Sequence, residues 1–344
     1  MGGAYTIRQC MTVFQCTGWV ELDGRKLAPA DIEMISRKDP EKIRRFGGEF
    51  SISFDGCCAR DHFGIMPGPV PRGTLVCGEK ERFAIEPDPA PLPLEDAIIT
   101  AVQLRSDEGV TALSGGVDSS LVAALAGREC VAVGVAGSHD LAQAQRAARL
   151  LSLTCTTVRI TAAEIEAAVP AVVAAIPKKD PVNTSIALTQ YFIARWAGEH
   201  GYQRIITGQG ADELFGGYSR YLTSLSLEED LVRDVDGLGE QADRDQAVAA
   251  LHGTYLSMPY LDIRVVRAAV AIPAAEKVNG GRRKIPLRAV AERHIPVELA
   301  WYEKKAMQYG TGVWGELKKI SRKNGYKTSV QDYIDRIGRV EHGH

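Results

Sequence analysis

The feature that most limits what this chain can fold into is a series of short strand-type runs, each separated from the next by a helix-type pattern. Residues 110–113 and 131–136 are apolar runs, 156–160 and 204–207 read as further strands, and 119–127, 141–151 and 186–200 carry the helical patterning between them. A strand that lacks alternation is covered on both faces. Strands alternating with helices build a parallel sheet wound on both sides, with its ligand site at the carboxyl ends of the strands. The expected fold class is therefore α/β with a doubly wound parallel sheet. Beyond about Ser219 the pattern is helical to the end, with no convincing strand.

The residues before Glu86 follow another rule. Phe50-Ser51-Ile52-Ser53-Phe54 alternates with period two, Thr74-Leu75-Val76-Cys77 is a β-type run, and glycines punctuate the segment as hairpins require. Prolines at 87, 89, 91 and 93 then stiffen an extended stretch. The 344 residues suit one large or two ordinary domains. The expected division is a small, mainly antiparallel β domain over 1–86, a proline-rich linker over 87–96, an α/β domain over 97–330 and a tail over 331–344.

One strand-to-helix junction carries chemistry. Ser114-Gly115-Gly116-Val117-Asp118-Ser119-Ser120 lies between an apolar run and a helix, the context a phosphate loop requires. Adjacent glycines let backbone approach a polyphosphate, and N–H groups at a helix start cradle anionic oxygens. Ser114, Ser119 and Ser120 add hydroxyl donors. Asp118 would repel phosphate by itself but makes sense as a ligand for magnesium bridging the phosphates. The expectation is a loop that binds ATP with Mg2+.

Composition removes other classes. A formal net charge of −2 gives no basic excess to suggest duplex nucleic acid as the main partner. No run approaches a membrane span. Met1-Gly2-Gly3-Ala4-Tyr5-Thr6 fits the loose N-myristoylation pattern, which is too short to carry that reading. The seven cysteines (10, 16, 57, 58, 77, 130 and 155) are odd in number and form no C-x-x-C pair, so neither a disulfide framework nor a zinc ribbon is suggested. A reducing cytoplasm is the plain inference.

The loop resembles the S-G-G-x-D-S signature of ATP pyrophosphatases, and residues 91–316 resemble the asparagine synthetase family. Thr207-Gly208-Gln209-Gly210-Ala211-Asp212-Glu213-Leu214-Phe215-Gly216-Gly217-Tyr218 is similar to the family segment that follows a strand of the ATP site. Met258-Pro259-Tyr260-Leu261-Asp262 resembles its V-P-F-L-D turn, Lys284-Ile285-Pro286-Leu287-Arg288 its K-x-x-L-R, and Lys304-Lys305-Ala306-Met307-Gln308-Tyr309-Gly310 a C-terminal motif. The resemblance implies an adenine nucleotide α-hydrolase-like sheet. Asp118 and Asp212 are then the two magnesium-binding carboxylates, Lys284 contacts pyrophosphate, and Leu113, Val133 and Gly208 line the nucleotide pocket. By residue type alone, Leu113 and Val133 read equally as sheet core. Asp212 also suits a helix N-terminus. With Lys284 one helical turn earlier, Arg288 can share an anion or stand as a solvated basic residue.

Two departures narrow the expectation. The common family members carry a nucleophilic cysteine directly after the initiator methionine, where this sequence has Gly2. Residues 46–65 still resemble the end of the glutaminase domain, so the front segment is expected to be a truncated glutaminase-like remnant. Where the family has a glutamate, or a tyrosine in the β-lactam synthetases, this chain has Gln209, whose amide cannot act as a general base. The expectation is an ATP-dependent, AMP-forming ligase that adenylates a small-molecule carboxylate and takes nitrogen from ammonia or an external amine, with Lys284, Gln209 and Arg288 as catalytic residues. A homodimer or an ammonia-supplying protein are the expected partners. The alternatives are modification of tRNA or another macromolecule, and a non-catalytic ATP-binding homologue.

Overall fold

The computed structural model describes residues 13–303 and 307–340. Gly2, Cys10 and Lys304-Lys305-Ala306 therefore lie outside the described residues. Backbone proximity divides the chain into two units, residues 1–98 with 261–271, and residues 99–260 with 272–344.

The first unit holds a six-stranded antiparallel sheet. Its strands are β1 (Gln15–Leu22), β2 (Arg25–Lys26), β3 (Gly47–Phe54), β4 (Cys57–Arg60), β5 (Thr74–Cys77) and β6 (Lys80–Ala84), in the order β2-β1-β3-β4-β5-β6. The period-two pattern of β3 does what it promises: Phe50, Ile52 and Phe54 are buried with Val20, Ile32, Ile43 and Phe46 in one apolar cluster. Asp61, at 1% exposure, closes the turn after β4 by accepting the N–H groups of Phe50, Ile65 and Met66 at 3.3, 2.9 and 2.9 Å. Burial outweighs those bonds and pushes its carboxyl up to about 6.

Cys57 and Cys77 are joined by a disulfide, contrary to the expectation from cysteine spacing. They are cross-strand partners in the β4–β5 register, with Cα atoms 4.0 Å apart. A pairing made by sheet register leaves no mark in linear spacing. The helix Ile263–Val270 also belongs to this unit, where Arg264 binds Glu21 at 2.6 Å and Asp262 at 3.0 Å.

The second unit is built on a five-stranded parallel sheet of β7 (Val110–Ala112), β8 (Cys130–Val135), β9 (Cys155–Ile160), β10 (Arg204–Ile206) and β11 (Tyr255–Ser257), in the order β11-β10-β7-β8-β9. The four expected strands are present. The fifth, β11, corrects the expectation of helix alone beyond Ser219. Three residues are too few to show a period, and Tyr255–Ser257 becomes a strand only by pairing with β10. Residues from 331 onward, expected as a tail, continue the helix Val330–Val340, in which Tyr333 and Ile334 are buried.

The strand order positions the site. The chain runs β7, β8, β9 to one side and then returns to place β10 and β11 on the other. The reversal falls between β7 and β10, where loops after adjacent parallel strands diverge and leave a crevice at their carboxyl ends. Among the described residues, no helix is long and apolar enough to cross a membrane.

Candidate functional site

The crevice opens onto a cavity of about 590 Å³ in the second unit, within the size range of nucleotide and cofactor sites. Its walls come from the loop after β7, the end of β8, the loop after β10 and the segments around Lys284 and Tyr302. Of the residues expected to bind ATP, Leu113, Ser114, Gly116, Asp118, Ser119, Val133 and Gly208 line it. Gly115 and Ser120 are not on that wall, and each has a local explanation. Gly115 has φ +78°, and a Cβ there would lie 2.6 Å from the Gln143 carbonyl carbon, so it shapes the loop. Ser120 is fully buried, its hydroxyl without a partner among the described residues.

The loop closes on itself and enters a helix. Ser114 N–H donates to Ser119 Oγ at 3.1 Å, the two hydroxyls are 2.8 Å apart, and Gly116 is the N-cap of the helix Val117–Ala126 without a capping side chain. The N–H groups of a first helical turn have no intrahelical acceptor, and with the helix dipole they favour an anion in the cavity. Gly208, after β10, passes so close that a Cβ would sit 2.9 Å from Ser119 N. Only glycine lets these two loops meet.

The polar centre is a triad. Lys284 Nζ donates to Asp118 Oδ1 and Oδ2 at 2.8 and 2.7 Å and to Asp212 Oδ1 at 2.7 Å. Asp118 follows β7 and Asp212 follows β10, so the switch point brings the two carboxylates together. Lys284 is an N-cap with a left-handed backbone (φ 56°), ahead of the helix Ile285–Ala291 rather than inside it. Burial opposes its charge, but the two carboxylates prevail and hold it above the usual lysine range. Gly217 completes the packing, since a Cβ there would meet Asp212 Oδ1 at 1.8 Å and Lys284 Cε at 2.1 Å.

Arg288 lines the same cavity but is occupied differently. Its guanidinium donates to the carbonyls of Arg283 (2.9 Å), Ala300 (2.7 Å) and Tyr302 (3.2 Å), and to Glu303 Oε1 at 2.9 Å. At 4% exposure it ties the Lys284 segment to residues 300–303, and burial lowers its pKa from the usual arginine range. Because Lys284 caps the helix while Arg288 turns toward carbonyls, the two do not converge as helical spacing suggests. Gln209 also faces the cavity; its amide Nε2 donates to Asp245 and its Oε1 accepts from Thr207 Oγ1 at 3.1 Å.

Further residues at or beside the wall stand out only once the site is assembled. Tyr218 lines the cavity and donates to the buried Glu213, which also accepts from Gln241 at 2.7 Å. Burial and the neighbouring Asp212 carboxylate push Glu213 above the usual carboxylate range. Tyr260, within the turn motif, donates its hydroxyl to the Asp118 carbonyl at 3.2 Å. Asp140 reaches the wall at 3% exposure from the start of the helix His139–Leu150.

Among the described residues no three His, Cys, Asp or Glu side chains cluster to hold a metal. Two carboxylates alone suit magnesium, which keeps waters and takes phosphate oxygens. The ammonium of Lys284 already shows that a cation fits between them.

Comparison with known proteins is consistent with this geometry. The sequence model of asparagine synthase matches residues 94–247 and 237–336. A putative glutamine-hydrolyzing asparagine synthetase of Methanocaldococcus jannaschii is 31% identical over 290 residues, covering 72% of this chain and 53% of its own. Asparagine synthetase B of Escherichia coli is 28% identical, covering 64% and 44%. The carboxyethyl-arginine beta-lactam-synthase of Streptomyces clavuligerus is 30% identical, covering 67% and 46%. The chain spans about half the length of these relatives.

Proposed function

The chain belongs to the asparagine synthase family, and on that footing we propose that it adenylates a small-molecule carboxylate with ATP and passes the acyl group to nitrogen. The family is one of ATP-dependent ligases that form carbon–nitrogen bonds. The observation that carries the finer reading is the triad of Asp118, Asp212 and Lys284 at the mouth of a phosphate loop.

Each residue has a part. Leu113 and Val133 give the nucleotide base an apolar wall, and the first-turn N–H groups after Gly116 hold phosphate oxygens. Asp118 and Asp212 are the residues that would hold Mg2+, which when bound neutralises phosphate charge. A substrate carboxylate oxygen forms a bond to the α-phosphorus, the bond to the bridging oxygen breaks, and pyrophosphate leaves with that electron pair. Lys284 offsets the charge that builds on the leaving group, the electrostatic contribution such sites depend on. A nitrogen then bonds to the acyl carbon as AMP departs with the electron pair of the acyl–oxygen bond of the mixed anhydride, and the nitrogen loses a proton.

The nitrogen is proposed to arrive as ammonia or an amine. The cysteines described in the first unit outside the disulfide are Cys16 and Cys58. Cys58 is buried, and burial pushes the Cys16 thiol up to about 11, where it is not a ready thiolate nucleophile.

Pyrophosphate release with ATP, Mg2+ and a panel of amino dicarboxylates and other small carboxylates, with ammonium chloride, tests the reading. Release dependent on one carboxylate is expected, with a loss of roughly 100-fold or more in Asp118→Asn. A protein that releases no pyrophosphate with any carboxylate, or an Asp118→Asn variant as active as the parent, overturns it.

A further inference from the structure

We propose that Arg283 is a further phosphate-binding residue of this site, latched by Glu303 while the cavity is empty, and that it trades that carboxylate for oxygens of the pyrophosphate group. The inference rests on the ligase reading above and gives the leaving group a second cation beside Lys284.

Three consecutive basic residues, Arg282, Arg283 and Lys284, leave the chain in three directions. The Arg282 guanidinium lies over the Trp301 ring, 5.0 Å from its centroid. Lys284, its side chain 7% exposed, is enclosed between Asp118 and Asp212. Arg283 lines the cavity, and its side chain at 20% exposure still reaches water. Its Nη1 donates to the Gly217 carbonyl at 2.6 Å. Gly217 packs against the side-chain ends of both Asp212 and Lys284, so this bond anchors the guanidinium beside the triad. The second bond runs from Nη2 to Glu303. Among the described residues these two bonds engage two of the five N–H groups of the guanidinium.

Glu303 makes that second arm exchangeable. Its side chain is 54% exposed, and an ion pair so open to water holds weakly. It is also shared, since Oε1 accepts from Arg288 at 2.9 Å while Oε2 accepts from Arg283. Arg288 holds the Arg283 carbonyl at 2.9 Å as well. When the Arg283 side chain turns away, its backbone therefore stays fixed and Glu303 keeps a partner. An arginine fork suits such an exchange, because one nitrogen can stay on the Gly217 carbonyl while another meets a phosphoryl oxygen.

Electrostatics gives the exchange its direction. Arg283, Lys284 and Arg288 are matched by Asp118, Asp212 and Glu303, so this corner of the cavity is close to neutral when empty. A polyphosphate brings several negative charges. Asp118 and Asp212 are the residues that would meet it through Mg2+, whereas Glu303 meets it as a bare like charge. Repulsion turns Glu303 toward water and releases Arg283 to a stronger, less solvated partner.

Pyrophosphate binding, followed by titration calorimetry with Mg2+ and no other substrate, tests this without turnover. Arg283→Met should weaken binding by about tenfold, as expected for loss of one charge-assisted hydrogen bond. Glu303→Gln keeps an acceptor for Arg288 but removes the competing charge, and should tighten binding by about threefold or more. In the double variant that tightening should vanish, because no arginine is left to release. A strap that served only the fold would weaken binding in both single variants. Unchanged binding in Arg283→Met, or unchanged or weaker binding in Glu303→Gln, overturns the inference; if Arg283→Met does not fold, Glu303→Gln decides it alone. A parent protein that binds neither pyrophosphate nor ATP with Mg2+ overturns the ligase reading itself.

Discussion

Replacing Lys284 with methionine removes the cation from between Asp118 and Asp212 while keeping most of the side-chain volume. The ammonium makes contacts of 2.7 Å to each carboxylate. At an effective dielectric of about 20, one such contact is worth about 6 kcal/mol before desolvation. Burying the ammonium takes back several kcal/mol, and the 44% exposure of the Asp212 side chain screens its share further. Without the lysine the carboxylate oxygens stand at most about 5.4 Å apart, the sum of the two contacts. Their repulsion is then about 3 kcal/mol at the same dielectric. The expected result is a loss of about 3 kcal/mol in urea unfolding without metal, most of it recovered on adding Mg2+. Because the seat is vacated, Mn2+ titrated without nucleotide should bind the variant about tenfold more tightly than the parent, a difference of about 1.4 kcal/mol. Unchanged or weaker Mn2+ binding, with no recovery of stability, would refute the idea that lysine and metal compete for one seat.

Gly217→Ala should displace Asp212 and Lys284, since its Cβ would overlap both side-chain ends; we expect kcat/KM for pyrophosphate release to fall by about 100-fold. Asp61 has a folded-state pKa raised to about 6 from an ordinary 3.8, so the folded protein holds the extra proton between those values. Its contribution of about 3 kcal/mol is present below pH 4 and lost as pH rises through 6; urea unfolding of Asp61→Asn across that window should lack this slope. Reduction of the Cys57–Cys77 bond, which closes a separation of 20 residues, should lower stability by about 3 kcal/mol. A thiol titration of the denatured protein before and after reductant checks that the bond is present.

The parallel sheet was legible because its cause is local. A strand covered on both faces needs an unbroken apolar run, and 131–136 supplies one without reference to anything distant. The phosphate loop was legible for a similar reason, since its glycines and hydroxyls are consecutive. Strand β11 was not, because three residues carry no period and only pairing with β10 defines it. Asp245 and Tyr260 were equally silent as site residues. An aspartate within a helix, or a tyrosine in a turn, looks like any other until a partner is placed against it.

The sequence by itself determined four strands of the parallel sheet, the loop and the types of residue available for chemistry. Only the tertiary structure decided which side chains meet. Lys284 lies 166 residues from Asp118, and Gln209 lies 36 from Asp245. Placing β10 next to β7, rather than beyond β9, brings Asp118 and Asp212 together around one cation. The same packing separates Lys284 from Arg288, although they are four residues apart in sequence. Helical spacing describes neighbours on a helix, whereas Lys284 stands at its cap with a backbone turned the other way. Local patterning is set by short-range sterics and burial, while the meeting of distant charges depends on strand order, which no single segment encodes.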